Sequence, residues 1–133
     1  MSSFQVIYFS RKGSTKKVAD AIASELNVEA EDVNTAELKN DSMVFLGSGC
    51  YGGKPGKHMT KFIENNDFKS RNVALFGASG GGEGKETESM ETMLKEKDSI
   101  VKGRYFCQGK AWFVNKDKPS NEDLDDAKKF AKK

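Results

Sequence analysis

The sequence predicts a doubly wound α/β fold, in which one parallel sheet carries helices on both faces. Apolar runs typical of buried strands alternate along the chain with segments of helical periodicity, and this alternation builds parallel βαβ units with right-handed crossovers. The 133 residues suit one domain spanning residues 1–133. With 36% hydrophobic residues and 13 glycines, the apolar content is close to that of globular proteins, which argues against disorder.

Residue patterns in the first half of the chain predict three strands and a helix. Residues 4–9 are rich in β-branched and aromatic side chains and end in a polar loop, which indicates a buried strand. A helix is predicted over residues 14–26 from the spacing of Val18, Ala19, Ile22, Ala23 and Leu26. A weak strand follows near residues 28–32, and the unbroken apolar run 43–47 is typical of a central parallel strand.

The second half of the chain continues the same alternation. The elements predicted there begin with a helix over 56–66, a strand over 72–77 and a helix over 86–98. A last strand is predicted from 104–107 and 111–114, with an interruption at 108–110. A closing helix follows, with Ser120 as its N-cap.

Charge and hydropathy exclude several classes of function. The 22 Lys and Arg nearly balance the 20 Asp and Glu, so the net charge of +2 gives no electrostatic footprint for nucleic acid. No apolar stretch approaches the length of a membrane span, and no apolar leader segment is encoded, so we expect a cytoplasmic protein. Cys50 and Cys107 lie far apart without ligand spacing, which predicts two free thiols and no metal site.

The loop after the first strand has the composition of a phosphate site. In a doubly wound sheet, ligands lie outside the carboxyl ends of the strands. Residues 10–15 place hydroxyl groups beside the N-terminus of a helix, where backbone N–H groups and the helix dipole favour an anion. The alternative is that Ser14 or Thr15 simply caps the helix. The P-loop pattern cannot be written onto this segment.

Two further loops after strands are rich in glycine. Residues 47–54 and 77–84 follow the two central strands, and so much glycine lets the backbone approach a flat ligand closely. Tyr51 supplies the one aromatic face available for stacking in these loops. The alternative for the second of them is an ordinary surface connection.

Several of these residues together resemble a known family. The run from Val6 to Thr15, continued by Ala19 and Ile22, resembles the flavodoxin signature. Tyr51-Gly52-Gly53 resembles the family's first isoalloxazine loop, and residues 77–84 occupy the place of the second. The resemblance covers nearly the whole chain and implies a five-stranded parallel sheet in the order 2-1-3-4-5, the order known for flavodoxins. The short length resembles the short-chain class.

The resemblance also implies FMN as cofactor, with no catalytic residue and no metal ligand. The implied cofactor-binding residues are Ser10, Arg11, Lys12, Gly13, Ser14 and Thr15 at the phosphate and Ser48, Gly49, Cys50, Tyr51, Gly52, Gly53, Ala78, Ser79, Gly80, Gly81 and Gly82 at the flavin ring. Lys12 stands where a hydroxyl is common in the family, and residues 77–85 lack the aromatic residue that usually covers the ring.

The function that the resemblance implies is that of a monomeric electron carrier between redox partner proteins. An alternative is a small flavin reductase acting on a quinone or on protoporphyrinogen, as related proteins do. A third is a cofactor-free α/β module, although Ser10-Arg11-Lys12 supplies neither the acidic residues of a receiver domain nor the C-x₅-R of a small tyrosine phosphatase. Flavodoxins are mostly acidic, whereas this chain has a net charge of +2. Its basic rim of Arg11, Lys12, Lys54 and Lys57 therefore predicts a partner with an acidic surface.

Overall fold

The computed structural model describes residues 3–11, 13–39, 42–51, 54–79, 84–108 and 121–131. Within these ranges the chain forms, in order, β1 (Ser3–Phe9), α1 (Ser14–Leu26), β2 (Ala30–Asp32), β3 (Ser42–Gly49), α2 (Lys57–Asn65), β4 (Asn72–Ser79), α3 (Lys85–Glu96), β5 (Ile100–Gln108) and α4 (Asn121–Ala131).

The five strands form one sheet in the order β2-β1-β3-β4-β5, and every pairing is parallel. The predicted fold class and strand order are therefore confirmed. The pairing of β1 with β3 aligns Phe9 with Ser48, and that of β3 with β4 aligns Gly49 with Ala78. This register ends the three central strands at nearly the same level, so the loops that follow them begin side by side.

Alternate residues of each strand face opposite layers of helices, as the two-residue period of a strand requires. On one face, Val6 and Tyr8 of β1 lie in a core cluster with residues of α1 and α4. On the other face, Ile7 and Phe9 lie in a cluster with residues of α2 and α3. Helices therefore cover both faces of the sheet, as the sequence predicts.

Lys97 ties the C-terminal end of α2 to the end of α3. Its ammonium group donates hydrogen bonds to the carbonyl oxygens of Ile63 at 2.6 Å, Glu64 at 3.0 Å and Asn66 at 2.6 Å. The last carbonyls of a helix have no partner inside it, and a cation is favoured there by the helix dipole. One side chain thus closes α2 and fixes its position relative to α3.

The last strand starts earlier than the sequence predicts. The predicted segment 104–107 lies within β5, but β5 begins at Ile100. Because β5 is an edge strand, Ile100 is 46% exposed, and Lys102 and Gly103 interrupt the apolar pattern of the strand. For this reason the sequence pattern does not indicate the first half of β5. The predicted segment 111–114 and the N-cap Ser120 lie outside the described residues.

The described ranges contain neither a membrane-spanning helix nor a cluster of metal-ligating side chains. No helix in these ranges is long and apolar enough to cross a membrane. No group of three or more His, Cys, Asp or Glu side chains in that part of the chain could hold a metal ion. Cys50 and Cys107 are not joined in a disulfide, as expected.

Candidate functional site

The loop between β1 and α1 forms an open helix start without negative charge. Gly13 is the N-cap of α1 and has a left-handed backbone with φ of 91°, a conformation that glycine adopts at little cost. Its N–H donates to the hydroxyl oxygen of Ser10 at 3.0 Å. As the N-cap residue, Gly13 makes no side-chain capping bond, and the first turn of α1 contains no acidic residue. The turn therefore has the features of an anion site.

The two hydroxyl residues at the start of α1 are buried in this turn. Ser14 is 8% exposed and Thr15 is 2% exposed. A hydroxyl has one donor hydrogen and two acceptor lone pairs, so Ser10, which accepts from Gly13, still has a hydrogen to donate. The predicted phosphate residues Ser10, Gly13, Ser14 and Thr15 are thus brought together, while Lys12 lies outside the described residues.

The loop between β3 and α2 is closed by the hydroxyl of Ser48. This fully buried oxygen accepts a hydrogen bond from the N–H of Gly56 at 2.9 Å and donates to the carbonyl of Gly49 at 2.8 Å. Farther along, Tyr51 and Lys54 exchange two backbone hydrogen bonds of 2.7 and 3.3 Å. Both ends of the loop are therefore held close to the carboxyl end of β3.

Tyr51 links this loop to the start of α1. Its hydroxyl oxygen accepts a hydrogen bond from the N–H of Arg11 at 3.2 Å, and the Arg11 guanidinium lies 4.7 Å from the centre of its ring. A Cβ on Gly49 would lie 2.7 Å from the Tyr51 hydroxyl, so a larger residue there would force the Tyr51 ring to shift. Burial raises the pKa of Tyr51, while Arg11 opposes the rise. The neutral phenol is the form that bridges the two loops.

The position of Tyr51 sharpens its predicted stacking role. Arg11 covers one face of the ring, so a flat ligand that stacks on Tyr51 uses the opposite face or displaces Arg11. Phe9 lies edge-on to Tyr51 with ring centres 5.9 Å apart. His58 is exposed and stacks on Phe9 with ring centres 5.0 Å apart.

The third predicted loop is described only at its two ends. Ala78 is 5% exposed and belongs to the core cluster on the α1 and α4 face, so only its backbone can serve a ligand. Ser79 ends β4. Gly52, Gly53 and the run Gly80, Gly81 and Gly82 lie outside the described residues, so their predicted roles stay predictions.

Sequence reasoning missed one residue at this site, Glu86 in the first turn of α3. Its side chain is fully buried, and its carboxyl lies so close to Gly77 that a Cβ there would overlap it. Neither carboxyl oxygen has a hydrogen-bond partner among the described residues. A signal was present, because position 86 is one helical turn before Met90 and two before Leu94, both fully buried.

The environment of Glu86 favours its neutral form. Burial raises the pKa of its carboxyl, and the negative charge of Glu88 adds to the rise. The backbone N–H of Glu86 and the nearby Cys50 thiol oppose it. Cys50 follows β3 and Gly77 lies near the end of β4, so this carboxyl sits where the second and third loops leave the sheet.

Comparisons with known proteins agree with this geometry. Residues 5–113 match a family described as "Flavodoxin domain". A flavodoxin of Clostridium beijerinckii is 30% identical over 109 residues, covering 73% of this chain and 79% of that protein. An uncharacterised protein of Methanocaldococcus jannaschii is 27% identical over 132 residues, covering 90% of this chain and 88% of that protein.

The fold also matches solved structures. The structure of a flavodoxin from the domain Archaea aligns with a TM-score of 0.79 at 23% identity, covering 98% of this chain and 94% of that chain. The similarity therefore extends over nearly the full length of both chains.

Proposed function

The chain belongs to the flavodoxin family, and on this premise we propose that it binds FMN non-covalently and passes electrons between redox partner proteins. The observation that carries the proposal is the open, acid-free start of α1 joined by Tyr51 to the loop after β3. A phosphate subsite and a loop suited to a flat ring are thereby held next to each other.

The phosphate of FMN fits the start of α1. Backbone N–H groups of residues 11–15 would bind its oxygens, because the first N–H groups of a helix have no partner inside the helix. The hydroxyls of Ser10 and Thr15 would assist, since both belong to this turn. Beside the left-handed Gly13, no atom of the described residues other than its chain neighbours lies within 4 Å of where its Cβ would be, so this start has space for a ligand.

The isoalloxazine ring would lie against the loops that follow β3 and β4. In the first of these, Ser48 and Gly49 fix the loop where it leaves the sheet, and Tyr51 presents an aromatic ring. The bound flavin supplies the electron-transfer chemistry, and the protein supplies binding, orientation and electrostatics.

Exposed cations near the site support an acidic partner surface. Arg11, Lys54 and Lys57 are exposed at the edge formed by the first two loops. Opposite charges steer association and lose this effect as salt increases. A redox partner with an acidic docking surface therefore suits this chain.

A spectrum and a ligand titration test the proposal. We expect flavin absorption in the purified protein or after addition of FMN, reversible stepwise reduction, and far weaker binding of riboflavin, which lacks the phosphate. Protein that takes up no FMN would contradict the proposal and favour the cofactor-free module. Steady-state reduction of a quinone by NAD(P)H would instead favour the reductase alternative.

A point substitution tests the phosphate subsite directly. Thr15→Ala removes a hydroxyl at the start of α1 and should weaken FMN binding by about 1–3 kcal/mol, as expected for a hydrogen bond to a charged group. Thr92→Ala is the control, because Thr92 is an exposed residue of α3 whose hydroxyl bonds the Glu88 carbonyl. Equal FMN affinity of Thr15→Ala and the parent in a fluorescence titration would remove Thr15 from the site.

A further inference from the structure

The starting observation is a carboxyl group buried without an ordinary partner. Glu86 is 0% exposed, and its two oxygens have no hydrogen-bond partner among the described residues. An ionised carboxylate in such a place loses its hydration, and this disfavours the charge more than the Glu86 N–H and the Cys50 thiol favour it. The geometry therefore favours a carboxyl that keeps its proton.

The location of this carboxyl connects it to the flavin loops. Its oxygen lies where a Cβ of residue 77 would be, so it fills the space above Gly77 near the end of β4. It also lies beside the thiol of Cys50, the first residue after β3. A change in this carboxyl therefore acts on the two loops assigned above to the ring.

Among the described residues, no cation bonds to the Glu86 carboxyl oxygens. On its own helix, Glu88 is exposed and adds negative charge, and the neighbouring Lys85 is exposed. On β5, Arg104 lies near the carboxylates of Glu88 at 3.8 Å and Glu91 at 3.5 Å. Strand β4 presents Gly77 to this carboxyl, and the loop after β3 presents the Cys50 thiol, a weak donor.

We propose that Glu86 is an internal acid of the flavin site: its carboxyl holds a proton between the two ring loops, and loss of that proton weakens FMN binding and disfavours reduction of the cofactor. This inference rests on the proposed function. Ionisation would force the carboxylate away from Gly77 toward water and disturb both loops. It would also place a negative charge beside a cofactor to which reduction adds negative charge.

The coupling works in both directions because linkage is reciprocal. A bound flavin that accepted an electron from a redox partner would gain negative charge, and the Glu86 carboxyl beside it would then hold its proton more strongly. If Glu86 is ionised beforehand, one proton from solvent goes to its carboxylate oxygen. No bond between flavin and protein forms or breaks.

The first experiment uses the protein without cofactor. Infrared difference spectra of the parent against Glu86→Gln should show the carbonyl band of a neutral carboxylic acid at neutral pH. Glutamine is the matched replacement, because it keeps the size and neutrality of the protonated side chain. Glu88→Gln, which changes an exposed carboxylate of the same helix, should leave that band in place.

The second experiment follows FMN binding and midpoint potential against pH. The dissociation constant of the parent should be flat at low pH and rise by up to about tenfold for each pH unit above the pKa of Glu86. The Glu86→Gln protein should show no such rise, while Glu88→Gln, which removes a charge that raises the pKa of Glu86, should keep the rise but begin it at lower pH. The midpoint potential of the parent should fall progressively below that of Glu86→Gln as pH increases.

Several outcomes would overturn the inference. An absent carboxylic acid band in protein that binds FMN normally would overturn it and leave the proposed function intact. A rise in the dissociation constant that persists in Glu86→Gln but disappears in Cys50→Ala would assign the titration to the thiol. Failure to bind FMN at any pH would overturn both the proposed function and this inference.

Discussion

The starts of α1 and α3 share a backbone geometry but differ in charge and cover. Each helix follows a central strand and begins at a left-handed glycine, Gly13 with φ of 91° and Gly84 with φ of 75°. At Gly13 an added Cβ would meet no atom of the described part of the chain within 4 Å, whereas at Gly84 it would lie 2.6 Å from the Phe106 ring. The first start is open to a ligand, and the second is covered.

The residue two positions after each glycine carries the difference in charge. That residue is Thr15 in α1 and Glu86 in α3, and both side chains are buried. The first turn of α1 has no acidic residue, so its dipole can act on an external anion. The first turn of α3 contains the Glu86 carboxyl. The helix dipole favours the charged form of this carboxyl, but burial disfavours the charged form more strongly. One helix start is suited to an external anion, and the other stores a proton.

Transferring the acid of α3 into α1 should have the largest effect. Thr15→Glu would place a negative charge beside the phosphate, and at an effective dielectric constant of about 20 and a separation of about 5 Å the repulsion is about 3 kcal/mol. We expect FMN affinity about 100-fold below that of Thr15→Gln, the control of equal size, in a fluorescence titration. Similar affinities of the two variants would show that the phosphate binds elsewhere.

Closing the space above Gly77 tests the other helix start. Gly77→Ala would put a methyl group where the Glu86 carboxyl lies, and such overpacking should lower the free energy of unfolding by about 1–3 kcal/mol. Gly103→Ala is the control, since its Cβ would meet only the Phe130 ring, at an ordinary 3.4 Å. The double variant Gly77→Ala with Glu86→Ala should be less destabilised than additivity predicts in urea unfolding. Equal costs at Gly77 and Gly103 would contradict the contact.

The stored proton should make stability depend on pH. Burial raises the pKa of Glu86 in the folded protein above its value in the unfolded chain. Its contribution to stability is therefore complete below the unfolded pKa and is lost as pH rises through the folded pKa, by about 1.4 kcal/mol for each unit of difference. Urea unfolding of the cofactor-free protein should show this loss, and Glu86→Gln should remove it. Parallel pH profiles of the two proteins would count against a raised pKa.

The smallest effect is expected from charges outside the α1 start. Lys54→Gln removes an exposed cation from the rim and should weaken FMN binding only a few-fold at low salt, because exposed charges are well screened. The difference should vanish at high salt. Lys95→Gln, an exposed change in the last turn of α3, should leave affinity unchanged at both salt concentrations. Identical salt profiles for the two variants would remove Lys54 from the rim.

The sequence predicted most of the sheet because its strongest signals are local. The runs 4–9, 43–47 and 72–77 are mostly apolar, as is typical of parallel strands covered on both faces. The spacing of apolar residues over 14–26 matched α1 at both ends. The first half of β5 was missed because an edge strand is partly exposed, so Lys102 and Gly103 can stand within it. The strand order came from the family resemblance.

The site was less accessible to sequence reasoning because its contacts are long-range. The bond between the Arg11 N–H and the Tyr51 hydroxyl joins residues 40 positions apart, and nothing local predicts it. In the sequence, Glu86 resembles an ordinary solvent-exposed residue at the start of a helix, because acidic residues are common in the first helical turn. Its burial depends on the missing side chain of Gly77, nine positions earlier on another element. Helical spacing alone could have indicated it, through Met90 and Leu94.

The Ser48 hydroxyl has a consequence for the entropy of ligand binding. By bonding both the Gly49 carbonyl and the Gly56 N–H, it closes the intervening loop into a ring before any ligand is present. Ordering a free segment of backbone costs roughly 1–2 kcal/mol per residue, and a segment already fixed at both ends loses less freedom on binding. Part of the affinity for a flat ligand is therefore set by one buried hydroxyl that never needs to touch it.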